Sequence, residues 1–345
     1  MKKNILLNEI LQQPETIQQL ISQEKKSISM ISQKVKNRFQ YIVIAARGTS
    51  DNAARYAQYL FGAHNGIQVA LATPSLFTIY KKPPFMKGAL IIGISQSGQS
   101  PDIVAVLEEA KKQGCPTISI TNRPKSPLAN ISDFCIPLHT NNEKATAATK
   151  TYTASLCALA LLSIMLSNDA LCLRDIESLP HTINLTLCES FSKMDFVQRY
   201  RYIEHTAVIG RGFNYSTAFE IALKIKELTK VISEPYSSAD FLHGPIAMIR
   251  NGFPVLIIAP SGRAFMDLTY FAHNTKNRGG ELIVISDQDK LLKLGPLSFK
   301  IPKSPEWISP ITAVIPGQLF ARQLALEKEL NPDRPEGITK VTETY

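Results

Sequence analysis

Two groups of residues in this 345-residue chain have types and spacings suited to chemistry. The first is Ser95-Gln96-Ser97-Gly98-Gln99-Ser100, which gathers hydroxyls and carboxamides around one glycine without a charged side chain. Hydroxyls and free backbone N–H groups collected just before a helix suit a phosphate, because they donate hydrogen bonds without bringing competing charge. Ser-x-Ser-Gly alone would also serve as an ordinary turn and helix cap. A second hydroxyl pair, Thr49-Ser50, in a like position after an earlier apolar run favours the phosphate reading. The second group is Glu220, Lys224 and Glu227, spaced i, i+4 and i+7, hence in one stripe of a helix opposite Ile221, Ile225 and Leu228. By spacing alone this stripe reads as a surface ladder of opposite charges, worth about a few tenths of a kcal/mol per pair. The alternative is proton transfer, since a carboxylate beside an ammonium stays ionised and positioned.

The elements that would position these groups follow from texture. Tyr41 to Ala46 is a β-branched run, followed by Arg47-Gly48-Thr49-Ser50-Asp51 and an Ala-rich helical stretch to Leu60. Ala89 to Ile94 leads into the serine loop and a helix to Gln113, and Pro116 to Ile120 is a further strand. Strand, tight turn and helix in this order belong to a parallel α/β sheet. The pattern then repeats. Arg47-Gly48 recurs as Arg211-Gly212 and Ser97-Gly98 as Ser261-Gly262, both 164 residues on, and the strand at Thr117 to Ile120 recurs at Leu282 to Ile285. The fold expected is therefore α/β, with two tandem doubly wound, flavodoxin-like domains on parallel sheets, preceded by N-terminal helices. The boundaries expected are a helical segment over 1–24, a phosphate-binding domain over 25–170, a linker over 171–194, a second domain over 195–335 and a tail over 336–345. The second copy keeps only one serine in Ala259-Pro260-Ser261-Gly262-Arg263, so phosphate is expected in the first copy alone.

Composition narrows the function classes. With 44% apolar residues the chain can bury a large core, which excludes disorder. The net charge of +9 comes from dispersed lysines and arginines without interleaved aromatics, so neither nucleic acid nor a membrane is expected as partner. Five cysteines without paired spacing indicate a reducing, cytoplasmic setting and no metal site. GxGxxG and the P-loop signature are both missing, and no cofactor is expected. The apolar run Ala154 to Leu166 is shorter than a membrane span and reads as a buried helix.

Six segments in order carry a resemblance: Arg47 to Ser50, Ser95 to Ser100, Ala147-Ala148-Thr149-Lys150, Glu220 to Glu227, Glu234 to Pro245, and Gly337-Ile338-Thr339-Lys340-Val341-Thr342. Together they resemble the tandem sugar isomerase (SIS) family over nearly the whole chain, most of all the isomerase half of the glucosamine-6-phosphate synthases and the short type II glucosamine-6-phosphate deaminases. The resemblance implies a phosphorylated amino sugar as substrate, bound by Thr49, Ser50, Ser95, Gln96, Ser97, Ser100, Thr146, Ala147 and Glu220. It makes Glu227 the carboxylate that moves a proton between C1 and C2, with Lys224 beside it. His243, before Gly244-Pro245, matches the family's ring-opening histidine, which reaches into a neighbouring subunit and so implies a homodimer. Lys340 matches a lysine on a tail that closes over the sugar and excludes water. Two departures stand out: Ala148 replaces a serine of the synthases, and Asp240 replaces a glutamate. Position 2 is Lys2 where the synthases carry the cysteine nucleophile of a glutaminase domain, so the expected reaction is deamination of glucosamine 6-phosphate to fructose 6-phosphate and ammonia. The alternatives are isomerising amination on the same scaffold, a related amino-sugar deaminase or deglycase, and a non-catalytic sugar-phosphate sensor.

Overall fold

The computed structural model describes residues 4–340. The opening is helical, as Ile5–Leu11 and Gln13–Val35. The first sheet comprises β1 (Tyr41–Ala45), β2 (Val69–Leu71), β3 (Ala89–Ile94), β4 (Thr117–Thr121) and β5 (Phe134–Pro137) in the order β2-β1-β3-β4-β5. The second comprises β6 (His205–Gly210), β7 (Ile232–Ser237), β8 (Pro254–Ile258), β9 (Glu281–Ser286) and β10 (Leu297–Lys300) in the order β10-β9-β8-β6-β7. Read in the opposite direction, this is the same strand order. Every pairing is parallel. Identical topology in both halves supports the duplication seen in the sequence.

The chain divides into two compact units. One contains Glu15–Glu143, Lys150–Glu177 and the tail residues Thr339 and Lys340, and it carries the first sheet. The other contains the chain up to Pro14, together with Lys144–Thr149 and Ser178–Ile338, and carries the second. Central strands are buried on both faces, β3 and β8 along their whole length, which explains their unbroken apolar runs. The edge strand β7 tolerates Pro235 because a ladder donor is dispensable there. It runs through Glu234 to Ser237, where the sequence reads as a Ser- and Pro-punctuated loop. Helix Lys150–Ser167 is long and apolar enough to cross a membrane by composition, yet 89% of it is buried inside the protein.

Helix Tyr215–Thr229 packs on helix Ser309–Glu327. Their approach is close at Gly317, where a Cβ would fall 2.3 Å from the side chain of Ile221. The Glu220 stripe is thereby fixed against a rigid neighbour.

Candidate active site

In the first sheet the strand order reverses at β1, between β2 and β3. This is the point at which doubly wound sheets leave a crevice beyond the carboxyl ends of the strands. The segment after β1 and the loop after β3 both open onto that edge, and each runs into the N-terminus of a helix, Thr49–Asn65 and Pro101–Lys112. Thr49 and Ser50 begin the first helix, and Ser100 caps the second.

The serine loop is braced from within. Gly98 donates its N–H to Ser95 Oγ at 3.1 Å, Gln99 donates to Ser97 Oγ at 3.3 Å, and the Ser95 and Ser100 hydroxyls lie 3.4 Å apart. Ser95 and Ser97 accept these N–H groups with lone pairs, which leaves the Ser97 O–H as a donor for a ligand. Ser100 makes no side-chain bond to its own helix. Gly98 adopts φ +63°, and a Cβ there would sit 2.0 Å from Ser126 Oγ. Only glycine closes this turn. The peptides of Gln96 and Gly98 are pinned from outside by Asn122 and Leu128, whose N–H groups donate to their carbonyls.

The matching loop of the second sheet is filled by the chain itself. Glu306 accepts from the Arg263 N–H at 2.7 Å and the Ala264 N–H at 3.2 Å, at the start of helix Phe265–Asn277. Asp287 accepts from the Ser261 N–H at 2.8 Å, and Gln288 donates to the Ser261 hydroxyl at 2.6 Å. A Cβ on Gly262 would meet Glu306 Cδ at 2.2 Å. Internal carboxylates thus hold donors whose counterparts in the first copy meet no carboxylate, the Gln99 N–H going to Ser97 Oγ instead.

The Glu220 stripe is buried rather than a surface ladder. Glu220 is 0% exposed and Lys224 1%, while the Glu227 side chain is 24% exposed. Lys224 Nζ lies 3.4 Å from Glu220 and 2.5 Å from Glu227. Buried charges are costly unless paired, and here one ammonium lies within reach of two carboxylates. Of the three side chains, only that of Glu227 reaches solvent.

The segment Lys144–Thr149, with Thr146 and Ala147, is held by residues that sequence reasoning missed. The buried carboxylate of Glu9 accepts the N–H groups of Lys144 and Ala145. Thr146 donates its N–H to the Asp333 carbonyl at 3.3 Å, while the Asp333 carboxylate accepts from Ile5 and Leu6 at the start of the first helix. Ala147 is buried. In the other unit, Lys340 donates to the buried carboxylate of Glu143 at 3.0 Å. Glu143 also accepts from the N–H and hydroxyl of Thr151 at the start of helix Lys150–Ser167. His243 ends the short helix Ser238–Leu242 with an exposed imidazole. The remaining tail from Val341, and Lys2, lie outside the described residues.

A duplicated, doubly wound parallel domain with the same strand order in both halves defines the class of this protein. The chain belongs to the SIS domain family, which matches residues 38–165 and 201–328. It is 33% identical over 343 residues to the glutamine–fructose-6-phosphate aminotransferase (isomerizing) of Pyrococcus horikoshii, covering 98% of this chain and 57% of that protein. The corresponding Escherichia coli protein is 30% identical over 360 residues, covering 98% of this chain and 58% of that one. The chain therefore spans somewhat over half the length of these relatives. Among solved structures, the C-terminal domain of glucosamine-fructose-6-phosphate aminotransferase from Francisella tularensis superposes with a TM-score of 0.88 at 26% identity, covering 97% of this chain and 99% of that one. The glucosamine-6-phosphate deaminase of Thermotoga maritima shares the fold, with a TM-score of 0.81 at 20% identity over 99% of this chain and 100% of that one.

Proposed function

We propose that this chain is an enzyme acting on a phosphorylated amino sugar, and that its net reaction is the deamination of glucosamine 6-phosphate. The observation that carries this reading is the buried Glu220–Lys224–Glu227 trio, with only Glu227 reaching solvent. A sensor of sugar phosphates needs the phosphate loop but not a carboxylate maintained at such cost in the interior. The relatives named as isomerising aminotransferases support the same chemistry.

In this mechanism Thr49, Ser50, Ser95, Gln96, Ser97 and Ser100 hold the phosphate, so that its binding energy orients the reacting end. His243 takes the proton of the anomeric hydroxyl and returns one to the ring oxygen, opening the ring. Glu227 removes the C2 proton and delivers it to C1 through an enaminol, while Lys340 faces the C1 oxygen. The C2 imine that results is hydrolysed by water, giving the ketose and ammonia. Glu220 and Lys224 keep Glu227 ionised and oriented. Deamination requires one organic substrate and water, whereas amination requires ammonia as a second substrate. The exposed position of His243 is in keeping with a role in the site of a second copy in a homodimer.

The test is release of ammonia and fructose 6-phosphate from glucosamine 6-phosphate, wild type beside Glu227→Gln, with galactosamine 6-phosphate in parallel. Stoichiometric release that is lost in the variant supports the reading. Synthesis from fructose 6-phosphate and ammonia without measurable release favours the isomerising amination. Tight binding of the sugar without turnover in either direction returns the protein to the sensor class.

A further inference from the structure

The crevice of the first sheet holds a group that the phosphate loop does not account for. Arg47 lies two residues past the end of β1 and two before Thr49, and its side chain reaches the helix that begins after Ser100. Its Nε donates to Asp102 Oδ2 at 2.7 Å. Asp102 lies in the first turn of helix Pro101–Lys112 and is 0% exposed; its other oxygen accepts the Ile103 N–H at 2.9 Å. The Arg47 side chain is 52% exposed. A guanidinium has five N–H donors, and Asp102 engages one. Among the described residues the Nη atoms have no hydrogen-bond partner.

We propose that Arg47 is a further phosphate ligand of this crevice, and that the buried carboxylate of Asp102 is the positioning residue that aims it. The proposal rests on the phosphate reading of the serine loop. That loop presents hydroxyls and amides without a formal positive charge. A fixed guanidinium supplies the missing charge in a geometry matched to phosphate oxygens. The second copy provides the contrast. There Arg211 stands 3.5 Å from Asp267, also in the first turn of its helix, but Asp267 is 58% exposed and Arg211 also donates to Ser238. The arginine–aspartate pair recurs in both copies, and it is tight, with a fully buried aspartate, only in the copy whose backbone donors are not taken by Glu306 and Asp287.

The test is calorimetric titration of the full chain with inorganic phosphate, comparing wild type, Arg47→Ala, Arg47→Gln, Asp102→Asn and Ser97→Ala. Loss of a charge-assisted bond should weaken phosphate about 10- to 100-fold in Arg47→Ala. Arg47→Gln keeps a donor for Asp102 and removes the charge, so it should show a similar loss; it also decides the matter where the alanine variant fails to fold. Asp102→Asn should weaken phosphate by a smaller factor. With glucosamine 6-phosphate, KM should rise in Arg47→Gln by a factor close to that seen with phosphate, with a smaller change in kcat. If Arg47→Gln binds phosphate as wild type does while Ser97→Ala loses it, Arg47 is only a loop brace and the proposal falls. If every variant binds phosphate like wild type, the serine loop is not the phosphate site, and the underlying reading fails with it.

Discussion

Lys340 donates to the buried carboxylate of Glu143 across 3.0 Å. The carboxylate also accepts the N–H and hydroxyl of Thr151 at a helix N-terminus. The lysine assigned to the reacting sugar is therefore docked before any ligand arrives. Glu143→Gln should release it: kcat/KM should fall about 10- to 100-fold, the scale of one charge-assisted bond. Trypsin cleavage after Lys340 should become faster in the same variant. Unchanged cleavage with unchanged activity would show that Glu143 only caps its helix.

Glu227→Gln keeps the shape of the side chain and removes the base. Turnover should fall by about 10²- to 10⁴-fold with little change in KM. Lys224→Met should act differently, because it removes the ammonium 3.4 Å from the wholly buried Glu220. A destabilisation of about 3–5 kcal/mol is expected from removing one partner of a buried ion pair. Combining it with Glu220→Gln should recover much of that loss. Thermal unfolding of the single and double variants decides this, and equal unfolding temperatures would show that the trio is not coupled.

Much of this arrangement is legible in the sequence because it is local. The buried strands β3 and β8 read as apolar runs, and the two loops stand directly after them. Short edge strands such as β2, with three residues, carry too little pattern to be seen. Glu220, Lys224 and Glu227 share a face by helical spacing, but spacing does not reveal burial, which depends on the elements packed around the helix from elsewhere in the chain. Glu9, Glu143 and Asp333 escape for the same reason. Their partners lie 135, 197 and 328 residues away, and no periodicity links such distances.

Glu306 explains why the duplicated loops differ. It accepts the N–H groups of Arg263 and Ala264, which lead into helix Phe265–Asn277, as an external anion would. Glu306→Gln retains the shape but loses the charge and one of the two acceptor oxygens, and about 1–2 kcal/mol of stability should go with it. Glu306→Ala should lose more and should be stabilised by millimolar inorganic phosphate to a greater degree than wild type. An alanine variant whose unfolding temperature responds to phosphate no more than wild type would mean that the second loop has lost the geometry for an anion.

Stability at acid pH has a separate origin in the second sheet. Glu281 at the start of β9 receives two bonds from Arg199, both 2.9 Å. The guanidinium holds its carboxyl below the usual range for a glutamate, against the opposing effect of burial. In the unfolded chain Glu281 returns to its ordinary value near 4.5. Near that pH the unfolded state binds more protons than the folded one, so the stability contributed by the pair is fully present above it and is lost as pH falls through the lower, folded value. Arg199→Met should therefore lower the unfolding temperature at pH 7, and the gap from wild type should narrow steadily as pH drops from 5 to 3. Thermal melts of both proteins across that interval check this. A gap that stays constant with pH would assign the effect of Arg199 to packing of its side chain rather than to its charge.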